Sequence, residues 1–139
     1  TYTEPLIDIE IGMGGLTPTS DSEFFEFRGT KEPECALLLK RGKGVLLTCD
    51  AIQNYGDYSF NNWLAKLVMP RMGFRKTTIV GPIWLKLMTP ENESLESEFL
   101  RLLELKFDKL LSAHGTFLEQ DAHEAVKVAV RSAFSNRID

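Results

Sequence analysis

The sequence predicts an α/β protein in which a mixed, mainly antiparallel sheet is covered by helices. Three observations predict this class. Short apolar runs separated by turns form a β-meander over residues 6–50, helical apolar spacing appears within residues 59–135, and a strand–helix unit closes that part of the chain. Because sheets and helices bury their apolar faces in layers, we expect helices on one face of the sheet and a partner surface on the other.

The size and composition are those of one globular domain spanning residues 1–139. The net charge is −4 and the basic residues are scattered, which argues against nucleic acid as the main partner. No apolar run reaches the roughly 18 residues of a membrane span, so we expect a cytoplasmic protein without a membrane partner. The chain begins at Thr1, which fits either a removed start or a piece of a longer protein.

The first third of the chain has strand-like patterns. Residues 6–11 alternate apolar and acidic side chains, and the Gly-rich stretch after them lacks the Lys and Ser/Thr of a phosphate-binding loop. Three more short apolar runs follow, at residues 24–27, 35–39 and 45–49. The turn between the last two predicts an antiparallel hairpin. Cys35 and Cys49 fall inside these strands, which predicts two buried free thiols in a reducing compartment.

The pattern then becomes helical. Residues 61–72 carry apolar side chains at helical spacing, whereas residues 74–88 are ambiguous between strand and helix. Thr89, followed by Pro90, has the character of a helix N-cap. One apolar stripe follows it, formed by Leu95, Phe99, Leu102 and Leu103. A strand over residues 107–113 and an amphipathic helix over residues 119–135 complete the prediction.

Two polar residues stand in matching positions at the ends of predicted strands. Asp50 ends the strand 45–49, and His114 ends the strand 107–113. If these strands are neighbours, both side chains reach one edge of the sheet, within range of a shared metal or substrate, and Asp and His both bind zinc. A purely structural role is the alternative for both residues, because an Asp at a strand end is often a turn or cap residue and His-Gly is common in loops.

Around these residues the chain resembles the C-terminal half of the metallo-β-lactamase fold. Residues 27–39 are similar to the strand, Gly-His-Thr-Pro-Gly-type loop and next strand of that family. Residues 44–51 resemble its strand that ends in Gly-Asp, and residues 107–115 resemble its last strand and final His-Gly. The resemblance covers roughly residues 23–135 as a succession of motifs.

The resemblance implies part of an αββα sandwich with a zinc or iron site that contains Asp50 and His114. It implies a metal-dependent hydrolase in which metal-bound water attacks an ester, amide or phosphoester substrate. The sequence also departs from the family. The His-x-His-x-Asp-His signature is absent, Thr30 stands where the loop histidine is expected, and Cys49 replaces the Gly before Asp50. His123, near the start of the last predicted helix, is interpreted as a surface or cap-region residue.

Two explanations fit these departures. Either the chain is a fragment whose upstream part supplies further ligands, or it is a degenerate, non-catalytic member that binds a ligand or a partner without metal. Thr30 lies inside the chain, so truncation does not account for its substitution.

The remaining expectations concern the surroundings of Asp50 and the oligomeric state. Tyr55 and Tyr58, in the polar loop after Asp50, are candidate substrate-binding residues, whereas core packing is favoured for Trp63 and Trp84. The uncovered sheet face predicts self-association or a second chain.

Overall fold

The computed structural model describes residues 17–56, 67–68 and 77–135. Within these ranges the chain forms two sheets and three helices with defined bounds, and residues 67–68 are also helical. The elements, in chain order, are β1 (Ser22–Phe27), β2 (Glu34–Leu39), β3 (Val45–Thr48), β4 (Ile52–Asn54), β5 (Thr78–Val80), α1 (Pro82–Met88), α2 (Glu96–Leu102), β6 (Lys109–Ser112) and α3 (Ala122–Phe134). The predicted α/β class, with a mixed and mainly antiparallel sheet, is confirmed.

The larger sheet has the strand order β1-β2-β3-β6. β1 pairs with β2 and β2 with β3 in antiparallel fashion, as the predicted meander requires, and Leu38 lies opposite Leu46 in the hairpin. β6 returns from the far end of the chain and pairs with β3 in parallel. The smaller sheet consists of β4 and β5, which pair antiparallel.

Alternation along the strands gives the larger sheet two different faces. One face contributes Phe25, Leu38, Leu46 and Leu110 to a buried core that also contains Leu85, Phe99 and Val130 from the three helices. The opposite face is also apolar but less covered: Phe24, Leu37, Leu39, Val45 and Leu47 are half-buried, and Leu111 is exposed. The expectation that a second chain covers this face stays a prediction.

Phe99 is the centre of the aromatic part of the core. Its ring is fully buried and lies 5.2 Å from that of Phe27, 5.9 Å from that of Trp84 and 5.6 Å from that of Phe134, measured between ring centroids. These contacts join β1, α1 and α3 through one residue of α2. The predicted apolar stripe of α2 therefore faces the core, with Leu95, Phe99 and Leu102 buried and Leu103 partly buried.

The predicted helix start at Thr89 is wrong. Thr89 caps the C-terminal end of α1 instead, because its backbone N–H and its side-chain hydroxyl both donate to the Leu85 carbonyl oxygen. Pro90 then prevents the helix from continuing, and α2 begins only at Glu96, with Leu95 as its N-cap. The ambiguous stretch 74–88 contains β5 and then α1, which starts at Pro82.

Two further expectations need correction. Cys35 and Cys49 are free thiols, but both are exposed rather than buried. Their strands alternate so that Ala36 and Thr48 point into the core, and the neighbouring cysteines therefore face outward. The stretch after Asp50 is also not all loop, because it contains β4, which pairs with β5 from much later in the sequence.

The last predicted helix is confirmed with slightly later bounds, as α3. Its buried side chains recur at helical spacing, at Ala122, Val126, Ala129, Val130 and Phe134. Of the predicted helix 61–72, only Leu67 and Val68 are described, and they are helical and exposed. The predicted strand 6–11 and its Gly-rich turn lie outside the described residues. None of the helices described is long and apolar enough to cross a bilayer.

We predict that Phe99→Ala lowers the free energy of unfolding by about 3–5 kcal/mol, because it removes a buried ring that packs against three others. Urea unfolding followed by circular dichroism measures this change. The matched control is Leu100→Ala on the next position of α2, whose side chain is 54% exposed and whose loss should change stability by no more than about 0.5 kcal/mol. Equal losses in the two variants would contradict the placement of Phe99 at the centre of the core.

Candidate functional site

The C-terminal ends of β3 and β6 lie side by side, because the two strands are parallel with Thr48 opposite Ser112. Asp50 and His114 each follow their strand by two residues and therefore reach the same edge of the sheet. His114 Nε2 lies 3.0 Å from Asp50 Oδ1, and both side chains are about half exposed. The structure thus brings together the two residues singled out in the sequence. Their role as metal ligands stays a prediction.

The backbone at Asp50 is held by close contacts with β4 and the start of α1. The Gln53 side-chain amide donates to the Asp50 carbonyl oxygen at 3.0 Å, and its nitrogen lies 3.5 Å from Asp50 Oδ1. A Cβ atom on Gly81 would lie 2.1 Å from the Asp50 carbonyl oxygen, well inside contact distance. Only glycine therefore allows α1 to begin this close to Asp50.

The loop that carries His114 is held in a comparable way. Ser112 Oγ donates to the His114 carbonyl oxygen at 2.6 Å. Gly115 has φ +96°, and a Cβ atom there would lie 2.0 Å from the Asn54 carbonyl oxygen. The Thr116 N–H donates to that same oxygen at 2.6 Å. Backbone contacts with β4 therefore fix the position of His114, although its side chain is half exposed.

Of the two tyrosines expected near Asp50, Tyr55 lies within the described residues. Tyr55 is buried, and its hydroxyl donates to Gln53 Oε1 at 3.0 Å. Gln53 in turn contacts Asp50, so Tyr55 is linked to the site through Gln53. Tyr55 also lines the space beside Asp50, and its role in substrate binding stays a prediction. Tyr58 and Trp63 lie outside the described residues, so their assigned roles stay predictions.

Asp50 and His114 border a cleft of about 470 Å³ between the sheet edge and α1. The cleft has a polar side and an apolar side. Among the described residues it is lined by Glu34, Asp50, Gln53, Tyr55, Ile83, Trp84, Leu87, Met88 and His114. Trp84 belongs to the core, as expected, but it also forms part of the cleft wall. Ile83 and Leu87 of α1 are exposed, which leaves an apolar rim next to two carboxylates.

Glu34 is a site residue that the sequence interpretation missed. Its Oε2 atom accepts a hydrogen bond of 2.9 Å from Trp84 Nε1. The register of β2 and β3 pairs Leu37 with Leu47, and continuing it for three residues places Glu34 opposite Asp50. The predicted hairpin could have identified Glu34, because the first residue of β2 lies opposite the residues that follow β3, where Asp50 stands.

The two carboxylates of the cleft influence each other. Burial raises the pKa of Glu34 above its ordinary value of 4.5, and the negative charge of Asp50 raises it further. The hydrogen bond from Trp84 acts in the opposite direction and stabilises the charged form. A cation in the cleft would favour ionisation of Glu34, so the electrostatics suit a positively charged group.

The described residues supply fewer clustered ligands than a catalytic metal centre takes. No group of three or more His, Cys, Asp and Glu side chains in residues 17–56, 67–68 and 77–135 is arranged to hold a metal ion, whereas a catalytic zinc takes about three protein ligands and a water. Thr30 stands where the resemblance predicts a loop histidine that binds metal. Its hydroxyl donates a hydrogen bond to the Phe27 carbonyl oxygen at 3.2 Å.

His123 is engaged elsewhere. Its Nε2 atom lies 2.8 Å from the Leu103 carbonyl oxygen, and its ring centroid lies 5.0 Å from that of Phe107. His123 is therefore partly buried in the first turn of α3, in contact with the residue that follows α2, and is not part of the cleft.

A scan against models of known protein families finds no match, and a search of curated proteins finds no relative of this chain. The interpretation of the cleft therefore depends on its own residues.

We predict that Trp84 fluorescence, measured in a Trp63→Phe background, titrates with a midpoint above 4.5, because the indole N–H donates to the Glu34 carboxylate. A raised pKa means that the folded protein keeps the Glu34 proton at a pH where the unfolded chain has lost it. The contribution of Glu34 to the free energy of unfolding should therefore fall as pH rises from 4.5 through the midpoint.

The Glu34→Gln variant is the control for that titration. It keeps a hydrogen-bond acceptor but cannot ionise, so the fluorescence change and the part of the pH dependence of stability that comes from Glu34 should disappear. A titration that persists in this variant would show that Glu34 does not produce the signal.

Proposed function

We propose that this protein is a ligand-binding domain whose cleft takes a small organic cation, with Glu34 and Asp50 as acceptors and the rim of α1 as the apolar wall. The proposal corresponds to the non-catalytic alternative expected from the sequence. The observation that carries it is the placement of two carboxylates and His114 at the polar side of a cleft of about 470 Å³, a size typical of small-molecule sites.

The chemistry of the lining favours an amine with an apolar body. An ionised carboxylate has about four lone-pair sites, so Asp50 can accept from a ligand while it contacts His114. Ile83 and Leu87 expose apolar surface beside these acceptors, and its burial by the ligand would add to the binding free energy. A neutral ligand of the same shape would supply no countercharge to the two carboxylates.

The second candidate function is the metal-dependent hydrolase implied by the resemblance. The 3.0 Å contact between Asp50 and His114 favours it, because two ligand types that zinc and iron accept already converge there. This chain has only two histidines, and His123 is engaged elsewhere. A further ligand would therefore have to be a carboxylate or thiolate from another part of the chain, or a residue of a second chain.

Metal analysis separates the two candidates. Protein prepared without chelator should contain far less than one equivalent of zinc or iron, and Asp50→Ala and His114→Ala should leave that content unchanged. Plasma mass spectrometry on the purified chain measures it. Zinc or iron close to one equivalent, lost in both variants, would overturn the metal-free proposal and support the hydrolase.

Ligand binding is tested with matched pairs of compounds, such as benzylamine and benzyl alcohol, followed by calorimetry. The amine should bind and the alcohol should not. Asp50→Asn and Glu34→Gln should each weaken amine binding about tenfold, since a hydrogen bond to a charged group is worth about 1.5–3 kcal/mol.

The control variant is Glu91→Gln, an exposed residue outside the cleft, which changes the net charge equally and should leave the affinity unchanged. Equal binding of amine and alcohol, or equal weakening by all three variants, would contradict the proposed ligand class.

A further inference from the structure

Cys35 lies in β2, and Cys49 directly follows the last residue of β3. The register of the hairpin pairs Leu37 with Leu47, and continuing it by two residues places Cys35 opposite Cys49. Both side chains share the face of Leu37 and Leu47, because the side-chain direction repeats every second residue. Directly opposed residues of antiparallel strands have Cα atoms about 4.5–5.5 Å apart, which lies within the range that a disulfide bridges.

The two thiols are also accessible. Both cysteines are free and exposed on the outward face of the sheet. The pKa of Cys35 is raised first by partial burial of its thiol, and then by Glu34, Glu26 and Cys49. The contribution of Cys49 agrees with the proximity of the two thiols. A pair of exposed thiols in facing positions has a chemistry that neither cysteine has alone.

We propose that Cys35 and Cys49 form a reversible cross-strand dithiol that is oxidised to an intramolecular disulfide by a low-molecular-weight disulfide such as oxidised glutathione. One protein thiolate attacks a sulfur of the small disulfide, which gives a mixed disulfide and releases one small thiol. The second protein thiolate then attacks the protein sulfur of that mixed disulfide and releases the other small thiol. Two electrons pass to the small disulfide, and two protons end on the released thiols.

The consequence for the cleft follows from sequence adjacency. Glu34 precedes Cys35 and Asp50 follows Cys49, and both carboxylates line the cleft on the other face of the hairpin. A disulfide between the cysteines would fix the separation of the two chain segments that carry these carboxylates. The redox state of the outward face would thereby set the geometry of the cleft.

The test uses the purified, fully reduced chain exposed to oxidised glutathione. Intact-mass spectrometry should show the loss of two hydrogens and no bound glutathione. On a non-reducing gel the protein should still migrate as a monomer. Dithiothreitol should restore the starting mass. In Cys35→Ser and Cys49→Ser, the mixed disulfide cannot be resolved within the chain, so each variant should accumulate bound glutathione at a level at least about tenfold above wild type.

Phenylarsine oxide, which binds two neighbouring thiols, gives an independent readout. It should block both thiols of wild type and have little effect on either single variant. Wild-type protein that keeps two bound glutathiones, or that forms only disulfide-linked dimers, would overturn the proposal.

The link to the cleft has its own measurement in the Trp63→Phe background. Trp84 emission, which reports on its hydrogen bond to Glu34, should shift on oxidation and recover on reduction. The Cys49→Ser variant in the same background should show no such shift. Unchanged emission in a chain whose disulfide has demonstrably formed would overturn the coupling between the dithiol and the cleft.

Discussion

The position of β3 in the centre of the larger sheet determines most of what the cleft contains. Leu46 is fully buried and pairs with Leu38 on one side and Leu110 on the other. A slip of one residue in either pairing would turn the apolar face of a strand toward solvent. Burial of Leu46 and its neighbours thus fixes both registers, and with them the residues that meet beyond the strand ends.

The two pairings of β3 contribute different partners to the site. The parallel pairing with β6 brings His114 beside Asp50, because parallel strands end at the same edge. The antiparallel pairing with β2 brings Glu34 to that edge, because in a hairpin the start of one strand lies beside the end of the other. A site that combines residues 34, 50 and 114 requires a mixed sheet, and a purely antiparallel meander would not assemble it.

The elements that the sequence predicts are those whose residue pattern lies within one short segment of the chain. The β2–β3 hairpin and α3 follow from alternation and from helical spacing within single segments, and both were predicted. β4 was missed because it has three residues, two of them polar, and its partner β5 lies more than twenty residues away. Thr89 was misassigned because Thr-Pro suits a helix start, whereas the hydrogen bonds to the Leu85 carbonyl, formed in the folded chain, make it a helix end. The exposure of the cysteines required knowing which face of the hairpin meets the helices.

The end of the β2–β3 hairpin therefore carries two pairs of polar groups on opposite faces. Even positions of the register, 34 and 50, turn toward α1 and supply carboxylates to the cleft, where burial and mutual repulsion raise the pKa of Glu34. Odd positions, 35 and 49, turn outward and expose thiols. Residues 34 and 35 are adjacent in the chain, as are residues 49 and 50. A bond that fixes the distance between the two thiols would therefore also restrict the distance between the two carboxylates. The same two-residue alternation that buries Leu38 and Leu46 thus places the charge of the cleft and the thiols of the outward face only one peptide bond apart.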